Sequence, residues 1–213
     1  MTTIRSTLAL LFPLALAACA DVVAPAPEAA DGEASAAVAP VAAPAGVCLD
    51  YNVPPVGTQW GGPPVGTPVG STIFVENGIR ASVNTFFDGA TTFYGVARVD
   101  FPPPQPFGAG PVGLARGISY GFDFTALTFV PQTVTFEWLD QGNNPIENLR
   151  VNASGLFVGQ IHAPPAVWGG VAVSSAVVAV PNGLKGQIKL TGPVQRILVG
   201  GQLIWVDRVC AYP

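Results

Sequence analysis

An all-β domain of antiparallel strands stacked in two layers is the fold class this sequence predicts, and three observations carry the prediction. Gly 25 and Pro 22 in 213 residues break up any long helical run, which excludes helix bundles and coiled coils. From residue 48 onward, short runs of β-branched and aromatic residues alternate with Gly, Pro and Asn, the texture of strands and turns. The chain is 49% apolar and only 10% charged, so a domain of this length can bury a substantial core.

Residues 1–18 hold one positive charge, Arg5, and then an apolar stretch from Leu8 to Ala18 interrupted by Pro13. At about 11 residues this stretch is far below the roughly 20 that cross a bilayer as a helix, so it reads as a cleaved export signal. Leu16, Ala17, Ala18 and Cys19 resemble the lipobox of bacterial lipoproteins. That resemblance implies that Cys19 is lipidated on sulfur and becomes the mature N-terminus with three acyl chains; the alternative is an ordinary secretory signal with an incidental cysteine. Each buried methylene contributes about 0.8 kcal/mol, so two or more chains hold a protein on a membrane almost permanently. Alanine, not aspartate, follows Cys19, and by the same resemblance this implies an outer-membrane location.

Residues 19–47 form the lipidated cysteine and a linker. Positions 20–47 contain 12 Ala, 4 Pro and 4 acidic residues without Lys or Arg, a composition that cannot bury enough surface to offset its ordering entropy. A tether is expected, with a reach on the order of 30 Å. Helix over Glu28 to Val38 is disfavoured by Gly32 and by the lack of an apolar stripe.

Residues 48–213 form the folded domain, with strands expected over 72–76, 79–87, 92–100, 117–124, 133–139, 146–153, 171–180, 184–190, 194–199 and 202–209. Asn77-Gly78 and Asn182-Gly183 are two-residue hairpin signals, because both residue types accept the positive φ of primed turns. Parallel pairing would need intervening helices, for which there is no room. Alternation puts Val134, Phe136 and Trp138 on one buried face, pairs Ile188 with Leu190, and groups Leu203, Trp205 and Val209, with Asp207 an awkward member of that last set. Pro-Pro-Val-Gly-Thr occurs at 54–58 and again at 63–67, a duplicated loop too short to be a solenoid repeat.

Three cysteines are present, Cys19, Cys48 and Cys210. With Cys19 assigned to lipid, Cys48 and Cys210 at the two ends of the domain are expected to form a disulfide, as an oxidising envelope compartment allows; two buried thiols are the alternative. The formal net charge is -4, with four acids falling in the linker, so the domain itself is nearly neutral. No extended basic stripe can displace counterions from phosphates, which argues against a nucleic-acid partner.

Pro64-Val65-Gly66-Thr67, Asn77-Gly78-Ile79, Glu147-Asn148-Leu149-Arg150-Val151-Asn152 and Gly200-Gly201-Gln202-Leu203-Ile204-Trp205-Val206-Asp207 resemble a set of secreted bacterial β-sandwich proteins. These are similar in architecture to galactose-binding-like and carbohydrate-binding jelly rolls. The resemblance implies a jelly-roll sandwich with a binding or structural role, and in some of its members a structural calcium.

Gly117-Ile118-Ser119-Tyr120-Gly121 fits Gly-x-Ser-x-Gly and precedes the single histidine, His162, but the strand-like Phe122-Asp123-Phe124 follows where a nucleophile elbow requires a helix. Gly108 to Gly113 fits Gly-x-Gly-x-x-Gly, yet Pro111 lacks an amide hydrogen and a strand follows, so a plain loop is expected rather than a dinucleotide site. A lone histidine gives zinc no ligand set. Calcium would take oxygen ligands from Asp88, Asp100, Asp140 and Asp207, which lie in or beside turns; ordinary solvated turn residues are the alternative. Sugar binding needs aromatic faces, and Trp60, Trp168, Tyr51 and Tyr94 are the candidates, with capping of the core as their other use. The sequence therefore leads to an expected non-enzymatic, lipid-anchored binding protein, holding a polysaccharide or, alternatively, serving as a scaffold for an envelope protein partner.

Overall fold

The computed structural model describes residues 45–101, 107–108, 110–141 and 146–213. The expected export signal, the lipidation expected at Cys19 and the expected linker as far as residue 44 lie outside the described residues.

The described residues form sixteen strands: β1 (Val47–Leu49), β2 (Gln59–Gly61), β3 (Thr72–Glu76), β4 (Ile79–Phe87), β5 (Thr92–Phe93), β6 (Val96–Asp100), β7 (Val112–Arg116), β8 (Ile118–Asp123), β9 (Thr133–Asp140), β10 (Glu147–Val151), β11 (Phe157–Gly159), β12 (Val167–Trp168), β13 (Val171–Val180), β14 (Gly183–Thr191), β15 (Arg196–Gly201) and β16 (Ile204–Tyr212). There is no helix among the described residues. One sheet of nine strands runs β12-β13-β14-β9-β16-β7-β6-β2, with β1 also paired to β16. A second sheet of seven runs β11-β10-β15-β8-β4-β3, with β5 also paired to β4. Every pairing is antiparallel.

The two sheets pack face to face around one core, which explains the alternation along each strand. Val134, Phe136 and Trp138 from β9, with Ile188 and Leu190 from β14, meet Tyr120 and Phe122 from β8, Leu149 and Val151 from β10, and Ile197 and Val199 from β15. A smaller apolar cluster of Phe107, Val112, Leu114, Leu139 and Trp205 covers part of the outer face of the nine-stranded sheet.

Trp205 belongs to that outer cluster with the half-buried Leu203, whereas Val209 belongs to the main core. The grouping of Trp205 with Val209 is therefore corrected. A β-bulge between Asp207 and Cys210, with Arg208 at φ 48°, inserts the extra residue that switches the strand's alternation.

The Asn77-Gly78 turn forms as expected, with φ of 50° and 83° and Glu76 opposite Ile79. The second hairpin differs by one residue. Val180 pairs with Gly183, so Pro181 and Asn182 make the turn, with Asn182 at φ 63°. Proline before a residue of positive φ is the signature of a type II turn. Gly183 serves a separate need: a Cβ there would lie 2.0 Å from the Asp140 carbonyl oxygen on β9.

Cys48 and Cys210 form a disulfide with S–S 2.06 Å and a sequence separation of 162. Their residues face each other in the β1–β16 ladder, which has only three residue pairs. The bridge thus ties the first strand of the described domain to its last.

Candidate functional site

A groove of about 460 Å³ lies on the outer face of the seven-stranded sheet. Four adjacent strands build it, and their register stacks the outward residues in rows. Ser82 of β4, Gly121 of β8, Leu198 of β15 and Arg150 of β10 form one row. Arg80, Asp123 and Arg196 form the next, and the Asn152 amide continues it by donating to the Arg196 carbonyl at 2.8 Å. Ala81, Val83, Tyr120, Phe122, Ile197, Val199, Leu149 and Val151 alternate with these residues and point into the core, so the pleat alone makes this face polar.

Small residues keep the floor open. A Cβ on Gly121 would lie 2.6 Å from Ser82 Oγ and 2.8 Å from Asn84 Nδ2. The Asn84 amide donates to Ser82 Oγ at 3.2 Å, and Ser82 donates to the Gly121 carbonyl at 3.3 Å. Away from these rows, the buried Asn148 side chain clips β10 to β4, accepting from Phe87 N and donating to Phe87 O, both at 2.8 Å.

Asp123 is fully engaged. Its Oδ1 accepts from the Thr125 amide at 2.8 Å and the Thr125 hydroxyl at 2.6 Å, while Oδ2 accepts from Arg196 Nε at 3.2 Å. Partial burial works against ionisation, yet these bonds and the Arg196 charge hold its carboxyl below the usual range. Asn152 is equally occupied: Oδ1 accepts from Gln195 N at 2.8 Å and Nδ2 donates to Pro193 O at 2.9 Å. Arg150 is exposed and has no hydrogen bond or ion pair among the described residues.

The four aromatic candidates do not converge. Tyr51 is fully buried in the core, 5.7 Å from the Phe74 ring and 5.8 Å from Tyr120, and is withdrawn from the candidate binding surface. Trp60, on β2, stacks on Phe74 at 5.7 Å, and the Tyr94 hydroxyl donates to Thr67 O at 2.6 Å. Trp168, on β12, packs edge-on to Phe157 at 6.1 Å and donates from Nε1 to Gly155 O at 3.1 Å. β2 and β12 end opposite edges of the nine-stranded sheet, so Trp60 and Trp168 share no surface. The two tryptophans and Tyr94 pack against the rim of the core.

The four aspartates are likewise dispersed, and no group of three or more acidic, His or Cys side chains fit to hold a metal occurs among the described residues. Asp88 closes its own turn, accepting from Ala90 N at 2.9 Å and Thr91 N at 2.6 Å. Asp100 pairs with Arg98 and accepts from Phe101 N. Asp140 is buried and hydrogen-bonded to Glu147, whose carboxyl is pushed up to about 8 by desolvation first and by Asp140 besides. Glu147 also accepts from the Ile161 amide at 2.9 Å. Asp207 is buried, and desolvation raises it to about 7. The four aspartates stand apart and do not gather into a calcium-binding set among the described residues.

Ser119 lies mid-strand in β8, fully buried, between Asn84 and Gly200. Of the Gly-x-Gly-x-x-Gly run, Val112 and Gly113 belong to β7, and Ala109 is outside the described residues.

The groove residues escaped the sequence reading although a signal existed. In β4 the outward set Arg80, Ser82, Asn84 is polar against inward Ile79, Ala81, Val83, and β10 repeats this with Asn148 and Arg150, with Asn152 in the turn that follows. No family model matches the chain, and comparison with curated proteins and with solved structures finds no significant match.

Proposed function

We propose that this protein is a lipid-anchored, non-catalytic component of a bacterial envelope, attached through Cys19, whose sandwich domain binds polysaccharide on the outer face of the seven-stranded sheet. The observation that carries this reading is the groove itself: rows of outward polar side chains across four adjacent strands, with a glycine floor and about 460 Å³ of space. An extended polar trough matches an extended hydroxylated chain better than it matches an apolar ligand.

The jelly-roll reading is supported by strand order. Numbering β7, β8, β9, β10, β11, β14, β15 and β16 as 1 to 8, the sheets contain the runs 1-8-3-6 and 2-7-4-5. Such runs arise when two Greek keys roll up together. Of the remaining strands, β12 and β13, β6 and β2, and β4 and β3 extend the sheets outward, while β1 pairs with β16 and β5 with β4.

Two experiments test the proposal. Cys19→Ala should move the protein from the membrane fraction to the soluble fraction and abolish incorporation of labelled palmitate; unchanged fractionation would defeat the anchor. Titrating envelope and exopolysaccharide fragments should give saturable binding; silence from all of them would defeat the ligand class. A second reading, a scaffold for an envelope protein, is favoured by one observation. From Ser174 to Val180 the outer edge of β13 has no described strand partner, since β12 pairs only with Val171 and Ala172. Such an edge can accept an added strand, and in-cell cross-linking from position 177 would capture that partner.

A further inference from the structure

Hydrogen-bond accounting in the groove says which kind of glycan it fits, an inference that rests on the polysaccharide reading above. A neutral sugar hydroxyl donates as well as accepts, so sites for neutral sugars need protein acceptors. Most of the side-chain acceptors here already take a protein donor, Asn84 Oδ1 being the exception among the described residues. Asp123, the one carboxylate lining the groove, already accepts three hydrogen bonds. Asn152 Oδ1 is held by backbone amides, and Ser82 Oγ is held by Asn84. The donors are not spent: Arg150 makes no bond among the described residues, and Arg196 uses only Nε. Arg150 and Arg196 stand on neighbouring strands, Arg150 opposite Leu198 and Arg196 two residues along the same strand.

Charge points the same way. Two arginines against one aspartate leave a positive excess in the groove, although the chain as a whole carries -4. Arg80, in the same row as Asp123, adds to it. Aromatic stacking cannot substitute, because Phe122, the one aromatic residue of the lining, turns its ring into the core against Tyr120.

We infer that the groove selects a polysaccharide bearing carboxylates, a polyuronate, over neutral glycans, with Arg150 and Arg196 as the recognition residues. Guanidinium groups hold carboxylates through paired N–H donors, and a uronate carboxylate is a more basic and stronger acceptor than a sulfate ester. Binding that depends on these charges weakens as salt shortens the screening length.

The test uses the full chain and three probes: polygalacturonate, the same polymer with its carboxyl groups reduced to alcohols, and dextran sulfate. Binding of polygalacturonate is expected, falling as sodium chloride is raised and lost on carboxyl reduction, with dextran sulfate clearly weaker. Arg150→Ala removes an exposed side chain with no described partner, so the fold is retained and affinity should drop about tenfold or more; Arg196→Lys should also weaken binding. Equal affinity for the reduced polymer would overturn the carboxylate selectivity while leaving the polysaccharide reading intact. Dextran sulfate bound as tightly as polygalacturonate would reduce the selectivity to bulk charge and overturn it. Binding untouched by Arg150→Ala would remove the groove as the site, and no response to any glycan would refute both readings.

Discussion

Replacing both Cys48 and Cys210 by alanine opens a loop whose ends are 162 residues apart. Chain-entropy scaling for a loop of that size gives about 5 kcal/mol of stabilisation in the oxidised protein. Against the roughly 5–15 kcal/mol that holds a typical domain together, this is a large share. Besides the bridge, β1 is held by three residue pairs with β16, by the buried Leu49 and by Asn77, whose amide donates to the Cys48 carbonyl at 2.7 Å. For a domain of this size each kcal/mol moves the midpoint by about 2–4 °C, so the variant should melt about 10–20 °C below the oxidised protein. The assay is thermal unfolding followed by circular dichroism, with and without reductant. Reductant should bring the parent close to the variant and leave the variant unchanged. A variant melting within 2–3 °C of the oxidised parent, as about 1 kcal/mol would produce, would refute the claim that this bridge is a principal constraint on the fold.

Stability should also fall with rising pH. Glu147 and Asp207 have carboxyls raised to about 8 and about 7 by burial. Raised carboxyls stabilise the folded state fully below the unfolded values near 4 and lose that contribution as pH rises through the folded ones. The urea midpoint should therefore be higher at pH 5 than at pH 8.5, and Glu147→Gln should flatten the dependence. Gly113→Ala should destabilise by about 1–3 kcal/mol or more, read from urea unfolding, because the new methyl would lie 2.4 Å from the Tyr51 hydroxyl and ring. Val177→Lys, on the outer strand β13, should leave the melting temperature unchanged and suppress aggregation in light scattering, since a charge blunts an open edge.

How much was legible follows from how local each feature is. β3, β4 and β13 coincide with the expected ranges because alternation and the Asn77-Gly78 signal are local. β7 was missed: Val112-Gly113-Leu114-Ala115-Arg116 has a single β-branched residue. Its glycine is required by the ring of Tyr51, some 60 positions earlier. The expected strand over 92–100 breaks at Tyr94 and Gly95, where the Tyr94 hydroxyl turns to Thr67 and a Cβ on Gly95 would lie 2.0 Å from the Arg116 carbonyl oxygen. The disulfide was legible from the cysteine count and from the placement of Cys48 and Cys210 near the two ends of the domain, whereas the groove was not. Each strand displays its own polar face, but only the long-range order β10-β15-β8-β4 places Arg150, Arg196, Asp123 and Ser82 side by side. Aromatic residues in glycine-rich loops drew attention to the sheet edges instead, where they pack against the core rim.

The central claim, that the outer face of the seven-stranded sheet is the ligand face, is open to direct mapping. Amide and side-chain resonances would be followed by heteronuclear NMR while a short galacturonate oligomer is titrated into the full chain. Shifts confined to Ser82, Asn84, Gly121, Arg150, Arg196 and Leu198 are the predicted result. Shifts centred on the indole groups of Trp60 or Trp168, with those residues silent, would contradict it.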